Sequence, residues 1–453
     1  MPCWTVAIIG GGPGGLMLAY LLQKQANAPL AVTLYEASGR LGGKILTRQF
    51  ASAPVLYEAG AAELYDYSDV GEDPLRELVE ELSLPTQPMG GSAVVLDDRI
   101  LASADDLREA LGAPAWQSLT QFDRAARDWM GPRDYYGSDW RGAAADPYLQ
   151  PGFDNVLADL PATARRYVQT LVHSDVATEP ERTNGSYGLQ NYLMNDPAYL
   201  RLYTIDGGIE RLPRELARRL AADVRLGETV TRVGRGADGR LSVNSRRANG
   251  SRDCSFDFVV AALPHSALAS VEWAGDDLAA AMRRHRAHYD YPAHYLRVSA
   301  LFQRPFWRGL LNESYCMLDA FGGCCLYDES ARSAADAHPF GALGWLLGGE
   351  PARQLAARPD AELVELCLDA LPPPLQPGRK YLLEGCVHRW LGAVNGLPGG
   401  RPAADLDGRH RPEPRRHPDF IIVGDYLFDS TLNGVLDSAA HVADWLTAEV
   451  AAR

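Results

Sequence analysis

Residues Thr5 to Ile9 form a short apolar run with β-branched side chains, the pattern of a strand buried on both faces. Six residues, Gly10 to Gly15, then supply five glycines and a proline. A helical pattern follows from Leu16 to Lys24, and a second strand pattern from Leu30 to Tyr35. Together these make a βαβ unit of the usual ~30 residues. Residues 76–200 alternate helical segments with loops and carry many aromatics. Residues 206–265 return to α/β character, with a helix near 209–221, strands at 229–233 and 257–262, and a polar hairpin between those strands. Residues 266–390 mix strands with helices. From Tyr295 to Phe302 they alternate, which puts Arg297, Ser299 and Leu301 on one face of a strand. The stretch 396–418, rich in Gly, Pro, Arg and His, predicts a surface loop. The chain closes on a strand, Phe420 to Val423, and a helix from about Val435. No internal repeat is visible.

Composition narrows the class. With 453 residues the chain can hold more than one core, and 46% hydrophobic with 23% charged residues is ordinary for a globular protein. A formal charge of −14 argues against nucleic acid or an anionic membrane as partner, since both attract basic surfaces. The seven cysteines are scattered, with no CxxC and no metal-type pairing with histidine, so neither a disulfide framework nor a metal site is expected. The apolar N-terminal stretch lacks a basic lead and is broken by glycines, unlike a secretory signal. No apolar run reaches the ~18 residues that a membrane span needs. The expectation is a cytoplasmic protein, possible as a homodimer, acting on a small molecule.

The glycine cluster carries the first chemistry. Gly10, Gly12 and Gly15 satisfy GxGxxG between a strand and a helix. Gly10 permits the tight turn, Gly12 lets a pyrophosphate approach the backbone, and Gly15 lets helix and strand pack closely. Pro13 and Gly14 complete the loop, and the helix N-terminus offers free N–H groups to phosphate. Glu36, 21 positions after Gly15, ends the second strand where a carboxylate would accept ribose hydroxyls. Dinucleotide binding follows. A second glycine pair with flanking cations, Arg40-Leu41-Gly42-Gly43-Lys44, and then Gly60-Ala61-Ala62, suit a cofactor that extends beyond one nucleotide.

These residues, read as Glu36-Ala37-Ser38-Gly39-Arg40-Leu41-Gly42-Gly43-Lys44, resemble the E-A-x-x-R-x-G-G-[RK] motif of the flavin-containing amine oxidase superfamily. That superfamily includes monoamine oxidases, L-amino-acid oxidases, protoporphyrinogen oxidases and carotenoid desaturases. Lys44 replaces the more usual arginine, keeping the charge but losing the two-pronged fork. Asp206 to Leu212 resembles the return into the FAD domain. Thr229 to Val233 resembles the strand whose backbone meets adenine, a role that falls on Val230. Gly424-Asp425 resembles the closing motif whose carboxylate meets the ribityl chain, and Val435-Leu436 lies where a helix directs its N-terminus at the flavin ring. The resemblance implies an α/β fold with an FAD domain from residues 1–75, 205–265 and 390–453. An interleaved mixed substrate domain would come from 76–204 and 266–389. It also implies noncovalent FAD, because residues 391–419 hold no cysteine.

Two positions depart from the family pattern. Where many amine oxidases place a lysine beside the flavin, ten residues before the tryptophan of a Phe-Trp pair, this chain has Arg297 ahead of Phe306-Trp307. Arginine there could hold a water, grip a substrate carboxylate with paired hydrogen bonds, or serve a structural ion pair. The aromatic cage is also incomplete, although Trp390 matches a family tryptophan near the flavin. About two of Tyr135, Tyr136, Trp140, Tyr187, Tyr192, Tyr199 and Tyr203 are expected to line the pocket. Arg297 and Trp390 are thus the catalytic candidates. The activity implied is oxidation of an amine or L-amino acid to an imine by hydride transfer to FAD, with O2 as the final acceptor. The alternative is C–C desaturation of the protoporphyrinogen oxidase and carotenoid desaturase type.

Overall fold

The computed structural model describes residues 3–137, 148, 151–332, 339–402 and 404–453; Trp140 lies outside them. A five-stranded, wholly parallel sheet sits at the centre of one half of the molecule. Its strand order is Asp223–Leu226, Leu30–Glu36, Trp4–Ile9, Phe258–Ala261 and Phe420–Ile422, so both ends of the chain and its middle build one sheet. The inner strands read as continuous apolar runs because helices or a second sheet cover both faces. Val6, Ile8, Phe258 and Val260 pack on one side, whereas Ala7, Ile9, Val259 and Ala261 pack on the other.

The first helix, Pro13–Gln25, begins three residues earlier than the apolar pattern suggested, with Pro13 at its first position, where a missing N–H costs nothing. It packs along the C-terminal helix, Leu432–Ala452, in the cluster that holds Leu16, Leu18, Ala439, Val442 and Leu446. Each such fully buried leucine or valine contributes ~1.5–3 kcal/mol relative to exposure. Gly14 marks the closest approach, where a Cβ would lie 3.0 Å from Val435 Cγ2 and 3.1 Å from Val423 Cγ1.

A seven-stranded mixed sheet forms the other half, with Leu382–Asn395 at its edge beside Pro292–Phe302, then Gly341–Gly348 and Cys324–Asp328. Helices including Ala162–Val176 and Gly185–Leu193 pack with it. The polar hairpin forms as expected, from Leu241–Arg247 and Gly250–Phe256.

Two expectations are corrected. The C-terminal helix begins at Leu432, not near Val435, because the Thr431 side chain accepts a hydrogen bond from the Gly434 N–H and caps it upstream. Leu436 therefore lies in the second turn, buried in the core. The 396–418 stretch is not simply a surface loop. It includes a short helix, Leu406–His410, whose Arg409 and His410 are only 1% exposed. Arg409 Nε donates to the Ala404 carbonyl, and its guanidinium lies over the Phe428 ring, so this polar segment closes over the core instead of leaving it.

Candidate active site

A cavity of about 660 Å³ runs between the two halves. The glycine loop borders it through Gly10, Gly12, Pro13 and Gly14. Gly10 has φ +116°, and a Cβ there would meet the Ala262 carbonyl oxygen at 2.3 Å, so only glycine makes this turn. A Cβ on Gly12 would meet nothing nearer than Gly43 Cα at 3.8 Å, which leaves open space beside the helix N-terminus. No side chain caps that N-terminus, so its N–H groups and positive dipole end are available to an anion. Gly15 is not on the wall. It stands against the strand, where a Cβ would lie 2.0 Å from the Gly10 oxygen.

Glu36 ends its strand on the cavity wall. Its carboxylate accepts the Gly11 N–H at 2.9 Å and the Ser38 N–H at 2.8 Å, and this fixes its position while leaving lone pairs for a diol. Ala37, Arg40, Gly43 and Lys44 also line the cavity. Arg40 is spent on its own loop, donating to the carbonyls of Leu41, Gly43 and Ile45. Gly42 sits behind the wall, donating its N–H to the Gly11 carbonyl at 2.8 Å. Lys44 Nζ donates to the Ala393 carbonyl at 2.8 Å and pairs with the Asp425 carboxylate, 381 positions away. Asp425 and Gly424 border the cavity, as do Gly60, Ala61, Ala62, Val230 and Val435. Leu436 does not.

Arg297 borders the cavity but is wholly buried. Its guanidinium donates through Nε and Nη2 to the Glu58 carbonyl, at 3.1 and 2.8 Å, and through Nη2 to Glu329 Oε1 at 2.6 Å. It also lies over the Tyr327 ring, 4.9 Å from the centroid. Nη1 has no protein acceptor. Its strand neighbours Ser299 and Leu301, on the same face, are buried away from the cavity. Trp390 pairs across the sheet with Tyr295 and donates its indole N–H to the Ala59 carbonyl at 2.6 Å. Both rings face the cavity wall, so the tryptophan is fixed in place by a buried loop.

Of the middle-segment tyrosines, Tyr135 and Tyr187 reach the cavity. Sequence reasoning missed Glu63, Tyr65, Tyr67, Asp175, Tyr295 and Asp429, which line it too. The alternation Leu64-Tyr65-Asp66-Tyr67 places both tyrosines on one face and was a readable signal; the carboxyls had none. Glu329, which compensates Arg297, follows a strand end with nothing to mark it.

The sequence model for flavin-containing amine oxidoreductases matches residues 13–446. The chain belongs to this family. Among its relatives, the flavin-dependent L-tryptophan oxidase RebO of Lentzea aerocolonigenes is 24% identical over 481 residues, covering 96% of each chain. Putrescine oxidase, solved with putrescine bound, superposes over the full length of both chains with a TM-score of 0.70 at 19% identity. Cyclohexylamine oxidase from Brevibacterium oxydans IH-35A does so with 0.72, again at 19% identity, over 99% of this chain. This flavin-containing amine oxidoreductase is therefore a flavoenzyme, with the α/β architecture those structures share. Its wall fits the cofactor: the open Gly12 cradle, the uncapped helix, and the carboxylates of Glu36 and Asp425 supply anion-binding and diol-binding groups. No described helix is long and apolar enough to cross a membrane.

Proposed function

We propose that this flavoenzyme binds FAD noncovalently and oxidises the C–N bond of an amine or amino acid. The observation that carries the reading is one cavity whose wall joins the glycine loop, Glu36 and Asp425 to Trp390, Arg297 and a group of tyrosines and carboxyls. Gly12 and the helix N-terminus would hold the pyrophosphate, Glu36 the ribose, the Val230 backbone the adenine, and Asp425 with Lys44 the ribityl chain. Pro13, Gly14, Ala37, Arg40, Gly43, Gly60, Ala61, Ala62 and Val435 would close around the cofactor. Residues 1–75, 205–265 and 390–453 would form its domain. No cysteine borders the cavity among the described residues, which supports noncovalent attachment.

When bound, the flavin would supply the oxidising equivalent: a hydride would leave the carbon that bears nitrogen, giving an imine, and O2 would take the electrons as hydrogen peroxide. The chain's own residues position the substrate. Trp390 forms a fixed wall, and Arg297 keeps one buried donor, Nη1, for an acceptor brought by ligand or water. Carboxyls on the substrate wall oppose C–C desaturation of a lipophilic substrate, which would leave them buried and unpaired. Acid precipitation of the purified protein, chromatography of the released flavin, and a peroxide assay with amines and amino acids test the reading. A protein that holds no flavin overturns it.

A further inference from the structure

The cations and anions of the cavity wall are not matched. Each wall cation already has protein acceptors. Arg40 is held by loop carbonyls, Lys44 by Asp425, Arg297 by Glu329, and Arg389 by Asp360 and two carbonyls. Asp175 and Glu63 are different. Both line the cavity, and among the described residues neither has a lysine, arginine or histidine within ion-pair distance. Glu63 takes a hydrogen bond from the Tyr327 hydroxyl at 2.8 Å. Burial first, and then the negative charge of Glu63, push the Asp175 carboxyl well above the usual carboxylate range. Asp175 thus sits beside a second carboxyl with no protein cation paired to it, at a free-energy cost that a bound cation would recover.

Their place relative to Arg297 follows from the strand. Tyr295 and Arg297 share a face two residues apart, a step of ~6–7 Å. The Tyr295 hydroxyl donates to the Asp175 backbone carbonyl at 3.3 Å, so Tyr295 ties the strand that carries Arg297 to the helix end that carries Asp175. The cavity wall here is aromatic, with Tyr65, Tyr187 and Tyr295. Aromatic faces suit both a methylene chain and an ammonium group. A carboxylate-bearing substrate would instead meet the Asp175 and Glu63 carboxyls with its own negative charge, and the nearby guanidinium groups of Arg297 and Arg332 already share Glu329.

We propose that Asp175, supported by Glu63, holds a second cationic nitrogen of the substrate, so that this enzyme takes diamines in preference to amino acids. The inference rests on the C–N oxidase reading and narrows it. One nitrogen would lie on the carbon presented to the flavin, and the other at Asp175.

The test uses the purified holoenzyme with putrescine and cadaverine as probes, and with n-butylamine and L-phenylalanine as comparators. Rapid mixing without oxygen gives kcat/KM for flavin reduction in wild type and Asp175→Asn. The expected result is that wild type prefers the diamines. In Asp175→Asn the ratio of diamine to monoamine kcat/KM should fall roughly ten- to hundredfold, as for one lost charge-assisted hydrogen bond. Glu63→Gln should lower the same ratio by a smaller factor, and it stands in if Asp175→Asn does not fold. An unchanged ratio in the folded variants, or a wild type that prefers L-phenylalanine, overturns the proposal. If no amine or amino acid reduces the flavin, the oxidase reading fails. Calorimetric titration with cadaverine then decides the binding claim separately. Weaker binding by Asp175→Asn sustains it, whereas equal binding, or none to wild type, overturns it.

Discussion

Arg297 Nη2 lies 2.6 Å from Glu329 Oε1, and both side chains are wholly buried. Arg332 Nε lies 2.6 Å from the other oxygen of the same carboxylate. One glutamate thus compensates two buried guanidinium groups. Removing it leaves uncompensated charge in the interior, which costs far more than an exposed pair would. Glu329→Ala should lower unfolding free energy by ~3–5 kcal/mol. Glu329→Gln, which keeps an acceptor, should lose less. Urea denaturation of the three proteins checks this, and equal midpoints would remove the network from the stability account.

Glu36 makes a separable prediction. Its carboxylate is oriented by two backbone N–H groups and faces the cavity. Glu36→Ala should weaken FAD binding by ~1–3 kcal/mol without changing substrate preference. Titration of flavin-stripped protein with FAD measures it. Equal affinities would remove Glu36 from the ribose.

Arg297 divides the two half-reactions. If its free Nη1 serves an acceptor near the flavin and not a substrate carboxylate, Arg297→Met should leave amine binding within a few-fold and slow reoxidation by oxygen. Arg297→Lys should recover part of that rate. Stopped-flow mixing follows each half-reaction. A loss of substrate affinity by tenfold or more, with normal reoxidation, would assign Arg297 to a carboxylate instead.

The glycine-loop end of the cavity was legible in the sequence because its constraints are local. Gly10 must turn with positive φ, Gly15 must admit a carbonyl, and Glu36 must end a strand, so residue type and spacing report the geometry. The opposite end was not. Asp175 closes a helix beside His173 and Ser174 and reads as an ordinary polar turn; only the fold brings it toward Glu63, 112 positions away. The Arg297 partner was equally hidden. Alternation predicted the buried face but could not say that its counter-ion would come from Glu329, 32 residues on. The C-terminal helix start was missed for a simpler reason. The apolar run begins after Thr431, but the cap is a polar residue that such a pattern ignores.

Glu58 predicts a pH dependence. Burial pushes its carboxyl up to about 7 from an ordinary 4.5, while the Arg332 charge and hydrogen bonds donated by the Ile209 N–H and the Thr47 hydroxyl pull the other way. Between those values the folded chain holds a proton that the unfolded chain has released. Its contribution to stability is full below the unfolded value and is lost as pH rises through the folded one. Glu58→Gln should flatten the decline in stability between about pH 4.5 and 7. Urea midpoints across that window compare the two proteins. Parallel curves would show that Glu58 does not titrate there.

One cavity would bring a flavin and a C–N bond together. Anaerobic mixing of the purified holoenzyme with amines, followed by admission of oxygen, tests it most directly. The flavin should lose its visible absorption with at least one amine, then regain it as one hydrogen peroxide forms per flavin reoxidised. Flavin that dithionite bleaches but no amine or amino acid does would contradict it.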